Sequence, residues 1–215
     1  DGEVMQDDGS PANEHSPGSW KRPVINILGE KVALGPYDKS IIETYYRWVN
    51  DFDTLRLGGL PIKPRTLEQQ IAAFDRWATE DDDSIWFLMY EVSTWRPVGW
   101  TGIQHVDLHH RSAEFGITIA EPDARGKGYG TEAAQLVLDY AFTARGLHSV
   151  HLTTAAYNIA GQRAYKKAGF REAGRLREAE FMGGKFWDLL YMDCLATEFT
   201  SPILARIFLP QEPRS

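Results

Sequence analysis

Apolar residues along this chain follow two rhythms. Short alternating or clustered runs at 24–28, 31–34, 85–92, 98–106, 112–119, 150–156, 170–180 and 185–195 predict β-strands. Gly29-Glu30 joins the first two as a hairpin or bent strand. Trp95-Arg96-Pro97 joins the next pair, and Gly183-Gly184 the last. The other rhythm has helical spacing. Asp38 caps a helix predicted to reach about Asn50, with Ile41, Ile42, Tyr45, Trp48 and Val49 inward. Thr66-Leu67-Glu68-Gln69 is a capping box that opens a helix to about Thr79, with Ile71, Phe74 and Trp77 inward. Ala133, Leu136, Val137, Tyr140, Ala141 and Ala144 mark a helix from Glu132 to Arg145, closed by Gly146. Asn158 and Gly169 bracket a fourth, with Lys166 and Lys167 in its last turn. Asn50 to Pro64 reads as loop, and Glu80-Asp81-Asp82-Asp83 as a solvated turn.

Composition adds boundaries to this pattern. A chain of 215 residues with 43% hydrophobic content fits one domain with a sizeable core. Residues 1–20 carry Asp1, Glu3, Asp7, Asp8 and Glu14 with no Lys or Arg, which predicts a mobile acidic tail ahead of a domain at 21–199. Residues 200–215 form an extension whose apolar stretch, Pro202 to Phe208, predicts packing on the body or on a second subunit. The chain carries −7 and the tail supplies −5 of it, leaving a body near neutrality. That argues against a general nucleic-acid surface and adds little to the case for a cationic partner. The lone Cys194 rules out an internal disulfide and suits a reducing, cytoplasmic setting. No apolar run has membrane-span length, and the acidic run lacks metal-ligand spacing, so neither a membrane nor a metal is expected.

The chemistry begins at Arg125-Gly126-Lys127-Gly128-Tyr129-Gly130-Thr131, between a strand and a helix. Glycines allow positive φ and close backbone approach, and the first helical turn presents unpaired N–H groups to an anion. The spacing fits neither the Walker loop nor the dinucleotide fingerprint. Alone, it reads equally as a phosphate cradle or a plain glycine-rich connection. Downstream comes Asn158-Ile159-Ala160-Gly161-Gln162-Arg163-Ala164-Tyr165-Lys166-Lys167-Ala168-Gly169-Phe170. Together, in this order and at this separation, the two stretches resemble the GCN5-related N-acetyltransferases (GNAT). The likeness is strongest from about Ser84 to Leu195. Ala113-Glu114-Phe115-Gly116 resembles the branch that holds ribosomal-protein N-terminal and spermidine acetyltransferases.

The resemblance implies an α/β (α+β) fold: a mixed, mostly antiparallel sheet, splayed between two parallel strands, with about four helices. It implies acetyl-CoA as co-substrate, with pyrophosphate on N–H groups from Gly126 to Thr131 and pantetheine along Ile117, Thr118 and Ile119. Asn158 would bond the pantetheine, Arg125 belongs to the loop motif, and Lys127 and Lys167 are within reach of the nucleotide phosphates or are simply solvated. Tyr165 would protonate the departing thiolate, its alternative being a core tyrosine. Glu114 would serve as base, its alternative being a salt-bridged surface glutamate. One extra residue lies between Glu114 and Arg125. Absorbed as loop at Ala120–Asp123 it leaves Glu114 in register; bulged into the strand it turns preceding side chains to the other face. For the acceptor, Asp51 and Asp53 are candidates to attract an ammonium, and Trp100 and Trp187 to wall a pocket. The implied reaction is acetyl transfer to a primary amine, on a small cationic molecule of polyamine or aminoglycoside type. Alternatives are a protein N-terminus, a longer acyl-CoA, or a non-catalytic CoA-binding module. A homodimer is common among relatives.

Overall fold

The structure is a computed structural model that describes residues 20–77 and 83–210. The acidic tail up to Ser19, the helix end expected at Thr79, the Glu80–Asp82 part of the acidic turn and the side chain of Trp77 lie outside the described residues.

Eight strands form one sheet among the described residues. They are β1 (Ile27–Leu28), β2 (Val32–Gly35), β3 (Ser84–Glu91), β4 (Pro97–Asp107), β5 (Ser112–Ile119), β6 (Ser149–Ala155), β7 (Arg171–Met182) and β8 (Lys185–Leu195). Their spatial order is β1-β2-β3-β4-β5-β6-β8-β7. Every neighbouring pair is antiparallel except β5 and β6, the single parallel pair. This is the mixed, mostly antiparallel sheet that the resemblance implied. Strands β3 and β4 are buried over most of their length because helices cover both faces.

Two helices lie on one face, α4 (Tyr129–Asp139) and α5 (Ile159–Ala168), and they pack against each other. Their core takes Phe115, Leu136, Leu152 and Phe170. On the other face lie α1 (Ile42–Trp48), preceded by a 3-10 turn at Lys39–Ile41, and α3 (Leu67–Trp77). Their core is aromatic: Tyr45, Trp48, Phe74 and Trp100 interlock with ring centroids 4.9–6.1 Å apart. The capping box forms as predicted, Thr66 and Gln69 exchanging backbone-to-side-chain bonds of 3.0 and 3.2 Å. Ile71 departs from the prediction and is 39% exposed.

Six helices stand among the described residues where about four were expected, and the extra two are short. α2 (Phe52–Leu57) occupies what read as loop, because Asp51 caps it by accepting from the Asp53 and Thr54 N–H groups. Six residues with one apolar turn carry no periodicity to read. The other, α6 (Leu204–Ile207), lies in the C-terminal extension. α4 also starts three residues ahead of the predicted Glu132, with Gly128 as a left-handed N-cap at φ 88°. It ends in a π-turn, Tyr140–Ala144, where Arg145 N–H reaches Tyr140 O at 3.1 Å.

That π-turn holds the C-terminal extension. Asp139, fully buried, accepts from the N–H groups of Ile203 (3.0 Å) and Leu204 (2.8 Å) and from the Thr143 hydroxyl (2.9 Å). Leu204 is buried on the body and Phe142 meets Phe199 edge-on. The extension therefore packs on its own domain through Leu204, while Ile207, Phe208 and Leu209 face outward. Asp139→Ala would orphan two N–H groups and is expected to cost about 2–4 kcal/mol, read by urea denaturation; a change below about 0.5 kcal/mol would show that the extension contributes no anchoring.

Candidate active site

The site exists because β5 and β6 part. Their ladder runs only from Ser112↔Ser149 to Glu114↔His151, yet β5 continues to Ile119 and β6 to Ala155. Beyond Glu114 the strands face each other across a cavity of about 410 Å³. It is lined by β5 from Glu114 to Thr118, by β6 from Leu152 to Ala155, by Asn158 and Tyr165 at α5, and by Leu55 to Leu60, the last turn of α2 and the loop after it. Since Phe115 belongs to the α4–α5 core, alternation places Glu114 on the opposite face, towards α1 and α2. The cavity thus passes through the sheet, with Tyr165 on one side and Glu114 on the other.

Two glycines keep the opening shaped. A Cβ on Gly116 would stand 2.7 Å from the Trp86 ring, which lies across β5 there. A Cβ on Gly58 would stand 2.8 Å from Thr118 Oγ1, so the loop after α2 approaches β5 closely. A 3-10 turn at Pro122–Ala124 follows β5 before Arg125. Pairing from Gly99↔Ile119 to Gln104↔Glu114 runs without a shift, so Glu114 stays in register.

Tyr165 is half-buried, and its hydroxyl makes no hydrogen bond among the described residues. Loss of solvent pushes the phenol up to about 12, because burial penalises the phenolate. Asn158 accepts the Gly161 N–H at 3.0 Å as N-cap and lines the cavity as well. Glu114 Oε2 takes the Gln104 amide at 3.3 Å and contacts His105 Nδ1 at 2.9 Å. Its Oε1 carries no hydrogen bond among the described residues.

The glycine-rich loop lies at the start of α4. Gly126 (φ 76°) and Gly128 (φ 88°) take backbone conformations open to glycine, and the first turn of α4 follows directly. Gly130 sits where α4 meets β5 and α5: a Cβ there would stand at ordinary contact distance, 3.4 Å from Ile119 Cδ1 and 3.9 Å from Ala164 Cβ. Arg125 is turned towards α2 and the end of β5. Its guanidinium bonds Asp53 (2.8 Å), the Thr54 hydroxyl (3.0 Å) and the Ile119 carbonyl (3.1 Å). Lys127 stands 3.6 Å from Glu91, which also accepts from the buried Tyr129 hydroxyl. Lys167 is exposed in the last turn of α5.

Sequence reasoning missed a pair beside this loop. Glu132 accepts three backbone N–H groups from the β1–β2 turn, those of Glu30, Lys31 (2.9 Å) and Val32 (3.1 Å). That seats Lys31 so that its Nζ lies 3.2 Å from where a Gly128 side chain would begin. Lys31 makes no ion pair among the described residues. No local motif announces a contact across about a hundred positions; the only trace is a charged residue in each of two turns.

The acceptor candidates separate. Trp100 lines the cavity. Trp187 stacks edge-on against Tyr157, which lines it, and donates to Met182 O at 3.0 Å. Asp51 and Asp53 are not in the lining: Asp51 caps α2, and Asp53 bridges Arg56 (2.6 Å) and Arg125 (2.8 Å), which hold its carboxyl below the usual range. The charged side chains in the lining are Arg56, Arg65, Glu114 and Glu180. Among the described residues no cluster of acids, His and Cys is placed to hold a metal ion, and no helix is long and apolar enough to cross a membrane.

Residues 31–171 match the family described as an acetyltransferase (GNAT) domain. The chain is 31% identical over 158 residues to human alpha/beta-tubulin-N-acetyltransferase 9, a match covering 68% of this chain and 75% of that protein. It is 35% identical over 102 residues to a spermidine N(1)-acetyltransferase of Vibrio cholerae, covering 47% of this chain and 58% of that one. The crystal structure of spermidine N-acetyltransferase from Vibrio cholerae in complex with CoA and spermine superposes with a TM-score of 0.70 at 23% identity, over 78% of this chain and 97% of that chain, a likeness of fold. With a splayed parallel pair in the sheet, a glycine-rich loop opening α4, and the family match extending over well more than half its length, this chain belongs to the GNAT acetyltransferases.

Proposed function

We propose that this protein moves the acetyl group of acetyl-CoA to a primary amine by direct attack in a ternary complex. One observation carries the reading: a single cavity threads the sheet, with a neutral acid on one side and a carboxylate on the other. Donor and acceptor then meet in the gap from opposite faces, and no covalent enzyme intermediate is needed.

The residues fit the co-substrate. N–H groups from Gly126 to Thr131, ahead of the α4 dipole, suit a pyrophosphate. Lys31 is the cation beside the loop that has no anionic partner among the described residues, whereas Arg125 is held by Asp53 and Lys127 faces Glu91. Along β5, Ile117 to Ile119 offer backbone to pantetheine, Asn158 offers its amide, and the N–H of Ile117 or Ile119 would polarise the thioester carbonyl. Lys167 remains a candidate for the outer phosphate.

A primary amine has a pKa near ~10, so the acceptor arrives mostly as ammonium. Glu114 Oε1 takes its proton, directly or through one water. The freed nitrogen forms the new C–N bond, the C–S bond breaks, and Tyr165 O–H protonates the thiolate. Burial keeps the phenol protonated across the working range with no competing acceptor; its raised pKa makes it a weaker acid than the thiol, so it donates a hydrogen bond to the sulfur as the C–S bond breaks and regains from solvent the proton it gives up.

The acceptor is read best as the terminal amine of a polypeptide. Asp51 and Asp53, which would draw a polyamine, are occupied by the α2 cap and two arginines, and Arg56 and Arg65 offset Glu114 and Glu180 in the lining. The relative named for tubulin acetylation is also matched over more of this chain than the one named for spermidine. A small cationic amine is the second reading, supported by Glu180 standing in the lining together with Glu114. Trp100 and, through Tyr157, Trp187 would wall either acceptor.

The deciding assay follows CoA thiol release with an N-terminal peptide, spermidine and an aminoglycoside as separate acceptors. Turnover with the peptide alone is expected; turnover with spermidine alone would reverse the acceptor reading, and none at all despite tight acetyl-CoA binding would overturn it. Tyr165→Phe should lower kcat about 100-fold with acetyl-CoA affinity unchanged. Because burial raises rather than lowers the phenol, kcat should show no descending limb from Tyr165 until about 12, which a pH-rate profile would check. Lys31→Ala should raise KM for acetyl-CoA about tenfold at unchanged kcat, as expected for a lost phosphate contact.

A further inference from the structure

Strand β4 is irregular at one place. Between Gln104↔Glu114 and Asp107↔Ser112 it carries two residues, His105 and Val106, opposite Ala113 alone. His105 there has φ 51°, a left-handed conformation that costs a non-glycine residue energy and that the bulge imposes. Regular alternation would send His105 to the face opposite Gln104 and Glu114. The bulge turns it to their side instead, with Nδ1 2.9 Å from Glu114 Oε2. The exposures grade outward: the Glu114 side chain is 23% exposed and lines the cavity, and that of His105 is 75% exposed.

We propose that His105 is the proton exit of the active site, acting through Glu114; this rests on Glu114 being the base. An acceptor seated in the gap covers the Oε1 side of the carboxylate, and the proton it gives up then needs another way out. Protonated Glu114 turns its carboxyl about the soft terminal torsion and delivers the O–H to Nδ1 of an imidazole that carries its own proton on Nε2. The imidazolium releases the Nε2 proton to water or buffer, Glu114 is again a carboxylate, and the exposed ring regains its starting tautomer by exchange with solvent. Few charged groups pack against the pair. His151 stands opposite Glu114 on β6, Asp83 precedes β3 and its carbonyl takes the Val106 N–H at 3.1 Å, and Asp107 follows on β4 with its carboxylate held by the His110 N–H at 2.8 Å. His105 is thus a positioning and relay residue with no contact to the reacting atoms.

The test uses the full chain with His105→Asn, which tolerates the left-handed backbone and keeps a donor for Glu114 but cannot carry a proton, and His105→Gly, which suits the same backbone and leaves room for free imidazole. In dilute buffer both should lose kcat about tenfold at unchanged KM for acetyl-CoA, and added imidazole should restore His105→Gly. Full activity of His105→Asn, or a loss that imidazole does not touch, would overturn the relay. Glu114→Gln separates the two ideas: if it turns over normally the base reading falls, and if it is inactive while both His105 variants work, only the relay falls.

Discussion

A sheet that opens between two of its strands leaves backbone N–H and C=O groups without ladder partners, and such groups are costly to bury alone. The separation of β5 from β6 beyond Glu114 is therefore the constraint on which the rest depends. Each edge of the gap must be held apart by something other than its neighbour. β5 is secured on its other side by continuous pairing to β4, and β6 by continuous pairing to β8. What remains is an edge that asks for an extended ligand, which is what a pantetheine arm can supply.

Around that opening, distant parts of the chain are tied to the helix behind the glycine-rich loop by charge rather than by strand pairing. Glu132 clamps the β1–β2 turn through three N–H groups. Asp139, two turns along the same helix, clamps the C-terminal extension through two more. α4 thus organises both ends of the described chain with carboxylates that face backbone, a use of acidic residues that a net-charge argument cannot register.

The strands were legible as alternating or continuous apolar runs between turn residues, and the four longer helices because their caps are explicit: Asp38, Thr66 with Gln69, the glycine loop, and Asn158. α2 was hidden, since a six-residue helix set by one Asx cap has no period to detect. The site was legible where it is local. Tyr165 and Asn158 share one helix, and the loop glycines are contiguous. It was illegible where it is assembled. Arg125 stands in the motif but its guanidinium is turned to Asp53 and Thr54, and Lys31 reaches the loop only through Glu132. His105 reads as one more residue of a buried strand until the bulge reverses its direction.

The Arg125–Asp53 contact has a consequence for how such a protein diversifies. It ties the loop expected to carry the donor to the first turn of α2, whose C-terminal side helps line the acceptor side of the cavity. A lineage adapting to a new amine by rebuilding α2 cannot vary Asp53 freely, because the same carboxylate orients the donor loop. Innovation is channelled instead to residues after the helix, from Gly58 to Arg65, which can change without loosening that contact.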